Sequence, residues 1–415
     1  MRIILNELKK MWTAKILVII VVLCTVYFGL SMNDWIRWYP NDTHFGNVKF
    51  AHHLTENYGT TLSLEDFEDF LEYRNVILVY LDPFFQSNAV FEEARIFGFD
   101  DLVDFRQYFS SQYETLNDEE RNLFYSVSLE LGYIVRTERY GDLTSEVQTP
   151  DAYNKMTSFY NVVGLYQTNI IGDDTFSPHI DSFMTQSFLS EREVQRLAEI
   201  RDSGELKSIM SWHTLFHTLR YFQGLAALVI LITLILVSAL VTADRANRVS
   251  WLQYSSKQGR NILKKQFSAV LISAIGITTI LVIIFSGIFG GLTGVHAFWN
   301  NGINSFMSGS FYWLSITYGQ YVLLMIGIIY LLSLGTATFA FILSRFSQNM
   351  IKLIFKIIPL FAFMVMLSNW ILGYFLIISA GGNVLLQMLS LIITLIVGMI
   401  AALFVIHREK RFELV

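Results

Sequence analysis

Six long apolar stretches almost free of charge decide most of what this chain can become. They run over Ala14–Met32, Tyr221–Val241, Phe267–Phe289, Tyr321–Leu343, Ile357–Ile378 and Val384–Ile406. Apart from Lys15 at the edge of the first, none holds an Asp, Glu, Lys, Arg or His. Each is close to the roughly 20 residues that a helix needs to cross a hydrocarbon core. A single charge inside one would cost roughly 2.5–3.5 kcal/mol. Five such segments after residue 220, in a chain with only 16% charged residues, argue against a soluble globule. The expected fold class is an α-helical polytopic membrane protein with six transmembrane helices and a mainly helical extracytoplasmic domain.

The net charge of -5 conceals a strong polarity. The block Asn33–Thr218 contains 31 of the 35 acids and 13 of the 30 bases, a net of -18, leaving +13 elsewhere. Basic residues cluster before the first stretch (Arg2, Lys9, Lys10), between the second and third (residues 242–266), after the fourth (Arg345, Lys352, Lys356) and in the tail 407–415. The alternate connections, Gly290–Gln320 and Ser379–Asn383, carry no Lys, Arg, Asp or Glu. Lys and Arg are retained on the cytoplasmic side, so both termini are expected inside and the acidic block outside. Tyr312, Trp313, Tyr318 and Tyr321 read as an aromatic belt at the outer interface. The first stretch is long for a cleaved signal, and Trp35, Trp38 and Tyr39 follow it as an anchor, so it reads as a retained span. Cys24 is the sole cysteine, which excludes an internal disulfide.

The acidic block has 32 Phe, Tyr and Trp residues, enough for a core of its own. Its start and stop signals are mostly helical: Ser63-Leu-Glu-Asp, Asn117-Asp-Glu-Glu, and Ser190-Glu-Arg-Glu193 with Gly204 as the stop. Weak alternation over Tyr133–Val147 suggests a short hairpin around Gly141. The excess acid reads as a solvated surface, with a surface for a cationic peptide as the sharper alternative.

The chain contains no Gly-x-x-x-x-Gly-Lys-Ser/Thr phosphate loop, no His-Glu-x-x-His and no Gly-x-Ser-x-Gly. No catalytic, cofactor or metal residue is therefore assigned. His213 and His217 share a helix face at a spacing that can bind a metal, but they read better as polar tips of an interfacial helix. The polar groups within the spans are neutral: Thr278, Thr279, Ser333, Thr336, Thr338, Asn369, Gln387 and Ser390. They serve helix–helix hydrogen bonding or line a path. Nothing in the composition calls for nucleic acid.

The basic segments carry the most specific pattern. Over residues 1–13, Ile4, Leu5, Leu8, Met11 and Trp12 form an apolar stripe with Glu7, Lys9 and Lys10 off it, as in an interfacial amphipathic helix. The loop 242–266 reads TADRANRVSWLQYSSKQGRNILKKQ. It offers a short basic helix around Trp251 and Leu252, broken at Ser255, Ser256 and Gly259. Such a segment can hold anionic lipid or dock into a partner.

These features together resemble the permease subunit of type-2 ABC exporters, in the group with a large extracytoplasmic domain between spans one and two. The resemblance rests on Asn6-Glu7-Leu-Lys-Lys10 running into the first span, on the inserted domain, and on the loop with its Trp-Leu pair, Ser-Ser and Gly259-Arg260. Asp244 stands where the family commonly has Glu. The resemblance implies two permeases, identical or paralogous, and a separate ABC ATPase that binds ATP-Mg beneath each. It implies coupling through Arg245, Arg248, Trp251, Leu252, Tyr254, Ser255, Ser256, Gly259 and Arg260. Export of a peptide or an amphipathic molecule is the function expected. A membrane receptor that senses a ligand through the acidic block is the alternative.

Overall fold

The computed structural model describes residues 2–39, 48–79, 82–112, 115–139, 178–246, 262–347, 350–378 and 383–410. Helix α1 (Arg2–Met11) leads into α2 (Ala14–Tyr27), which continues through a π-helical turn at Phe28–Met32 into α3 (Asn33–Arg37). The acidic block holds α4 (Val48–Tyr58), α5 (Leu64–Val79), α6 (Asp82–Ser87), α7 (Ala89–Glu93), α8 (Phe99–Ser111), α9 (Asp118–Arg139), α10 (Pro178–Met184) and α11 (Glu191–Ser203). Four long helices follow: α12 (Trp212–Ala246), α13 (Ile262–Thr293), α14 (Tyr318–Arg345) and α15 (Met350–Gly373), with α16 (Val384–Lys410) closing the order. Among the described residues there is no strand. Among the described residues, six helices are long and apolar enough to cross a membrane: Ala14–Arg37, Trp212–Ser238, Ile262–Thr293, Tyr318–Arg345, Ile351–Gly373 and Val384–Arg408. The chain is a multi-pass helical membrane protein.

Its spans are arranged around α12. Of the most apolar window of each span, 72% is buried in α12 but only 11% in the first span, which makes α12 the axle and α2 the periphery. Helix α12 packs on α13, α14 and α15, and α14 packs in turn on α13, α15 and α16. The roughly 52 Å of α12, at 1.5 Å per residue, exceeds the ~30 Å hydrocarbon core. It therefore projects into the polar structure at both ends. The end that carries α1 and joins α12 to α13 is the basic end, and the opposite one, beside the acidic block, is the acidic end.

The local helix signals are realised atom by atom. Ser63 N–H donates to Asp66 at 2.9 Å and Asp66 N–H returns to Ser63 Oγ at 3.1 Å. Asn117 and Glu120 make the same reciprocal pair at 3.0 and 2.9 Å. Ser190 and Glu193 do so at 2.7 and 3.4 Å, and Gly204 closes α11 at φ 74°. The expected hairpin is not formed where it can be seen: α9 runs unbroken through Tyr133 to Arg139, and residues 140–147 lie outside the described residues.

Among the described residues, the buried apolar side chains of the block fall into three groups. Val48, Ala51 and Leu54 of α4, Leu62, and Phe67 and Phe70 of α5 join the large core of the spans. Phe85, Phe91, Ile96, Phe99, Leu102 and Val127 form a small core internal to the block. Ile180, Leu197, Ile200 and Leu206 pack with Phe311 and Ile378, which belong to connections between spans. The physical reason is the 294–317 connection, which folds back over the helix ends and offers α4, α10 and α11 an apolar surface.

That fold-back also overturns the aromatic belt. Tyr312, Tyr318 and Tyr321 are at most 3% exposed: Tyr312 turns inward from the connection onto Tyr321, and Tyr318 and Tyr321 begin α14 beneath it. One close approach fixes it in place. Gly319 N–H donates to the Trp299 carbonyl at 2.9 Å, and a Cβ on Gly319 would lie 2.5 Å from the Trp299 ring. Gly319→Ala is expected to destabilise by about 1–3 kcal/mol, as overpacking does. Thermal unfolding in detergent measures it, and an unchanged Tm means that Trp299 swings aside without cost.

Candidate functional site

At the basic end, α12 stops at Ala246 and α13 starts at Ile262. Arg245 lies in the last turn of α12. Arg248, Trp251, Leu252, Tyr254, Ser255, Ser256, Gly259 and Arg260 lie outside the described residues, so the proposed coupling segment is represented only by its anchorage.

That anchorage is a buried polar bridge across three helices. Lys10 Nζ donates to Glu7 Oε1 at 2.8 Å, and Gln266 Nε2 donates to Glu7 Oε2 at 3.1 Å. The Arg345 guanidinium donates to Gln266 Oε1 and lies 5.6 Å from the centroid of the Phe341 ring. Glu7 is 3% and Gln266 0% exposed. A carboxylate in such a place requires hydrogen-bonded partners to offset its desolvation, and the bridge supplies them. Trp12 Nε1 donates to Ser273 Oγ at 3.1 Å, and the Ser273 hydroxyl lies 3.5 Å from Met11 Sδ. Helix α1 is thereby fastened along α13, with α14 held through Arg345.

The face that α1 presents to the protein differs from the expected stripe. Glu7 points inward with Met11, while Leu5 is 53% exposed. Glu7 lies three residues after Ile4 and four before Met11, which is the spacing of one helix face. Its charge placed it outside the stripe, but its position places it within.

Midway along the spans, Thr278 Oγ1 donates to Ser333 Oγ at 2.8 Å, and Thr233 Oγ1 lies 3.1 Å from the same hydroxyl. This ties α12, α13 and α14 together. Thr233 was absent from the expected polar set. Thr279 pairs with Tyr330 OH at 2.7 Å. Thr336 and Thr338 donate to carbonyls one turn back, and Gln387 Nε2 donates to the Trp370 carbonyl at 3.0 Å. The bonds of Thr233, Thr278, Thr279 and Gln387 join helices, whereas those of Thr336 and Thr338 stay within α14.

At the acidic end, one arginine gathers the cap. Arg196 donates through Nε to the Trp313 carbonyl at 2.9 Å, through Nη2 to both Glu205 oxygens at 3.0 Å, and to Ser315 Oγ at 3.0 Å. Asn304 Nδ2 and Ser315 Oγ also donate to Glu205, at 2.5 and 2.7 Å. Burial pushes the Glu205 carboxyl up, but the hydrogen bonds from Ser315 and Asn304 and the Arg196 charge outweigh it and hold the group below its ordinary value.

His213 and His217 are not polar tips at an interface. Both are 4% exposed. The His217 ring, in an aromatic nest, lies 5.7 Å from Trp35 and 5.6 Å from Tyr39 between centroids, with Nδ1 2.8 Å from the Trp35 carbonyl oxygen. No third His, Cys, Asp or Glu completes a metal-binding group with them among the described residues. Compared with protein families, curated proteins and solved structures, the chain matches none.

Proposed function

We propose that this chain is the transmembrane permease subunit of an ATP-driven exporter, with both termini cytoplasmic and a separate ATPase docked on the basic end. The observation that carries the reading is the Glu7–Gln266–Arg345 bridge. It makes α1 and the inner ends of α13 and α14 one frame, and residues 247–261 join α12 to that frame along the chain. A load applied to the loop would then be delivered to the spans instead of being lost in a slack tether. The sequence has no phosphate loop, so the energy must enter from another chain. The uncharged spans suit a peptide or amphipathic cargo, and two permease copies, identical or paralogous, would enclose its path.

Purification of the tagged chain from its own membranes tests the reading. A phosphate-loop ATPase with vanadate-sensitive hydrolysis is expected to co-purify. Trp251→Ala/Leu252→Ala is expected to weaken capture roughly thirtyfold, as loss of an anchor contributing ~2 kcal/mol would. Arg248→Ala/Arg260→Ala should weaken it less, since charge alone serves lipid equally well. Capture and stimulated hydrolysis left intact by the first pair, at normal expression, would show the docking assignment to be wrong. Absence of any ATPase partner would remove the exporter reading.

A further inference from the structure

We propose that the cleft between α2 and α13 is a resident site for one acyl chain of a membrane lipid. The inference does not depend on the exporter reading.

The first span is fastened to α13 at two levels and stands off between them. At the lower level is the Trp12–Ser273 hydrogen bond, with the Trp12 ring 3.8 Å from where a Cβ on Gly276 would lie. At the upper level the Phe28 and Phe285 rings meet at 5.8 Å between centroids. The intervening cleft has a volume of about 400 Å³ and is walled by side chains such as Leu17, Ile20, Val21, Cys24, Ile277 and Leu281. Thr25 also lines it, but its hydroxyl donates back to the Val21 carbonyl at 2.9 Å. The wall therefore offers hydrocarbon.

Length, volume and chemistry select the occupant. From Leu17 to Phe28 the helix rises about 16 Å, close to half of a ~30 Å hydrocarbon core. The cleft is thus one leaflet deep. Water finds too few polar partners on these walls to be held there. Vacancy would cost the lining atoms their dispersion partners. An extended peptide would bring backbone N–H and C=O groups with no partners on these walls. A helix from a second copy, about 10 Å across, would displace roughly 1,200 Å³ over the same length, so it would lie over the cleft rather than in it. A flexible alkyl chain meets none of these objections, and the surrounding bilayer supplies it. The two fastenings close the cleft above and below, so the chain is held laterally instead of exchanging freely along the helix.

The test uses the full chain and its sole cysteine, Cys24, which lies on the wall. The protein is purified in mild detergent, washed extensively, and its phospholipid measured per chain by mass spectrometry and phosphorus assay. One retained phospholipid is expected in the wild type and in Leu323→Trp, a control on the exposed face of α14, and none in Ile284→Trp, which fills the cleft. Maleimide modification of Cys24 should be about tenfold slower in lipid-replete than in delipidated protein, as for a site occupied at roughly ten times its dissociation constant. The comparison within wild type decides the matter even if Ile284→Trp fails to fold. Wild-type protein that retains no lipid, or Cys24 reactivity indifferent to lipid, overturns the proposal. Efficient Cys24-to-Cys24 cross-linking between copies also overturns it, because a second chain would then cover the cleft.

Discussion

Arg196→Ala is expected to be the most damaging single substitution in the acidic end, costing about 2–3 kcal/mol, below the roughly 3–5 kcal/mol of a fully buried ion pair because this one is partly buried. The Arg196 side chain is 11% and the Glu205 side chain 16% exposed, so little water stands ready to replace the guanidinium. The loss reaches beyond the pair, because the same group donates to the Trp313 carbonyl and to Ser315. Arg196→Lys should recover only part of it, since an ammonium cannot reproduce the planar fork. Thermal unfolding in detergent, with amide exchange over residues 304–317, reads both effects. A stability within 1 kcal/mol of wild type would show the cap to be held by its apolar contacts alone. The wild type should also respond to acid. Glu205 is held below its ordinary value, so its folded pKa lies below its unfolded one. The stability it supplies is complete above the unfolded value, about 4.3 for a glutamate, and is lost as pH falls through the folded value. In Arg196→Ala this acid-dependent loss should shrink, because one of the causes of the depression has gone.

Gln266→Leu is expected to cost about 3 kcal/mol at the basic end, given that a hydrogen bond to a charged group contributes roughly 1.5–3 kcal/mol. Gln266 faces two charges at once: its amide nitrogen donates to Glu7 and its oxygen accepts from Arg345. Leucine keeps most of the volume and both helix propensities but serves neither charge. Glu7 would keep its hydrogen bond from Lys10. The double variant Glu7→Gln/Gln266→Leu separates bridge from packing. If the bridge carries the effect, the two costs will be strongly non-additive, with the second change almost free after the first. Amide exchange of residues 3–11 should rise in the single variant while that of α16 stays unchanged. Simple additivity of the two costs would mean that α1 is held by Met11 and Trp12 instead.

What could be read in advance divides by distance along the chain. The six spans and the capping pairs at Ser63, Asn117 and Ser190 were legible because their causes lie within a few residues: continuous apolarity, or a donor and acceptor three positions apart. Gly204 was legible as a stop for the same reason. The partition of the acidic block was not. Whether Phe67 packs within the block or on the spans depends on surfaces more than a hundred residues away, and periodicity is silent about that. The same limit hid the cover over Tyr312, Tyr318 and Tyr321. Weak alternation over Tyr133–Arg139 misled because these residues also satisfy a helix, and α9 was already propagating through them. Glu7 was misjudged through chemistry: its spacing belonged to the buried face, but the partner that makes burial tolerable, Gln266, lies 259 residues away. Of the coupling residues, only Arg245 has a described place.

The shared core sets the order in which the protein can be made. Thr55 on α4 accepts from Asn301, which follows it by 246 residues, and Trp12 reaches Ser273 across 261. At roughly 5–20 residues per second of synthesis, the early partner in such a contact waits about 12–50 s for the late one to emerge. During that interval the first span has been inserted with almost none of its native neighbours, and α4 and α5 expose the apolar faces that the spans will later cover. Of the three clusters among the described residues, the Phe85–Val127 one can settle at once, because all its members come from one short region. Biogenesis therefore has a vulnerable window, ending when the 294–317 connection arrives. Chains truncated before it should be the ones that quality-control proteases and holding chaperones engage, and chains extended just beyond it should escape them.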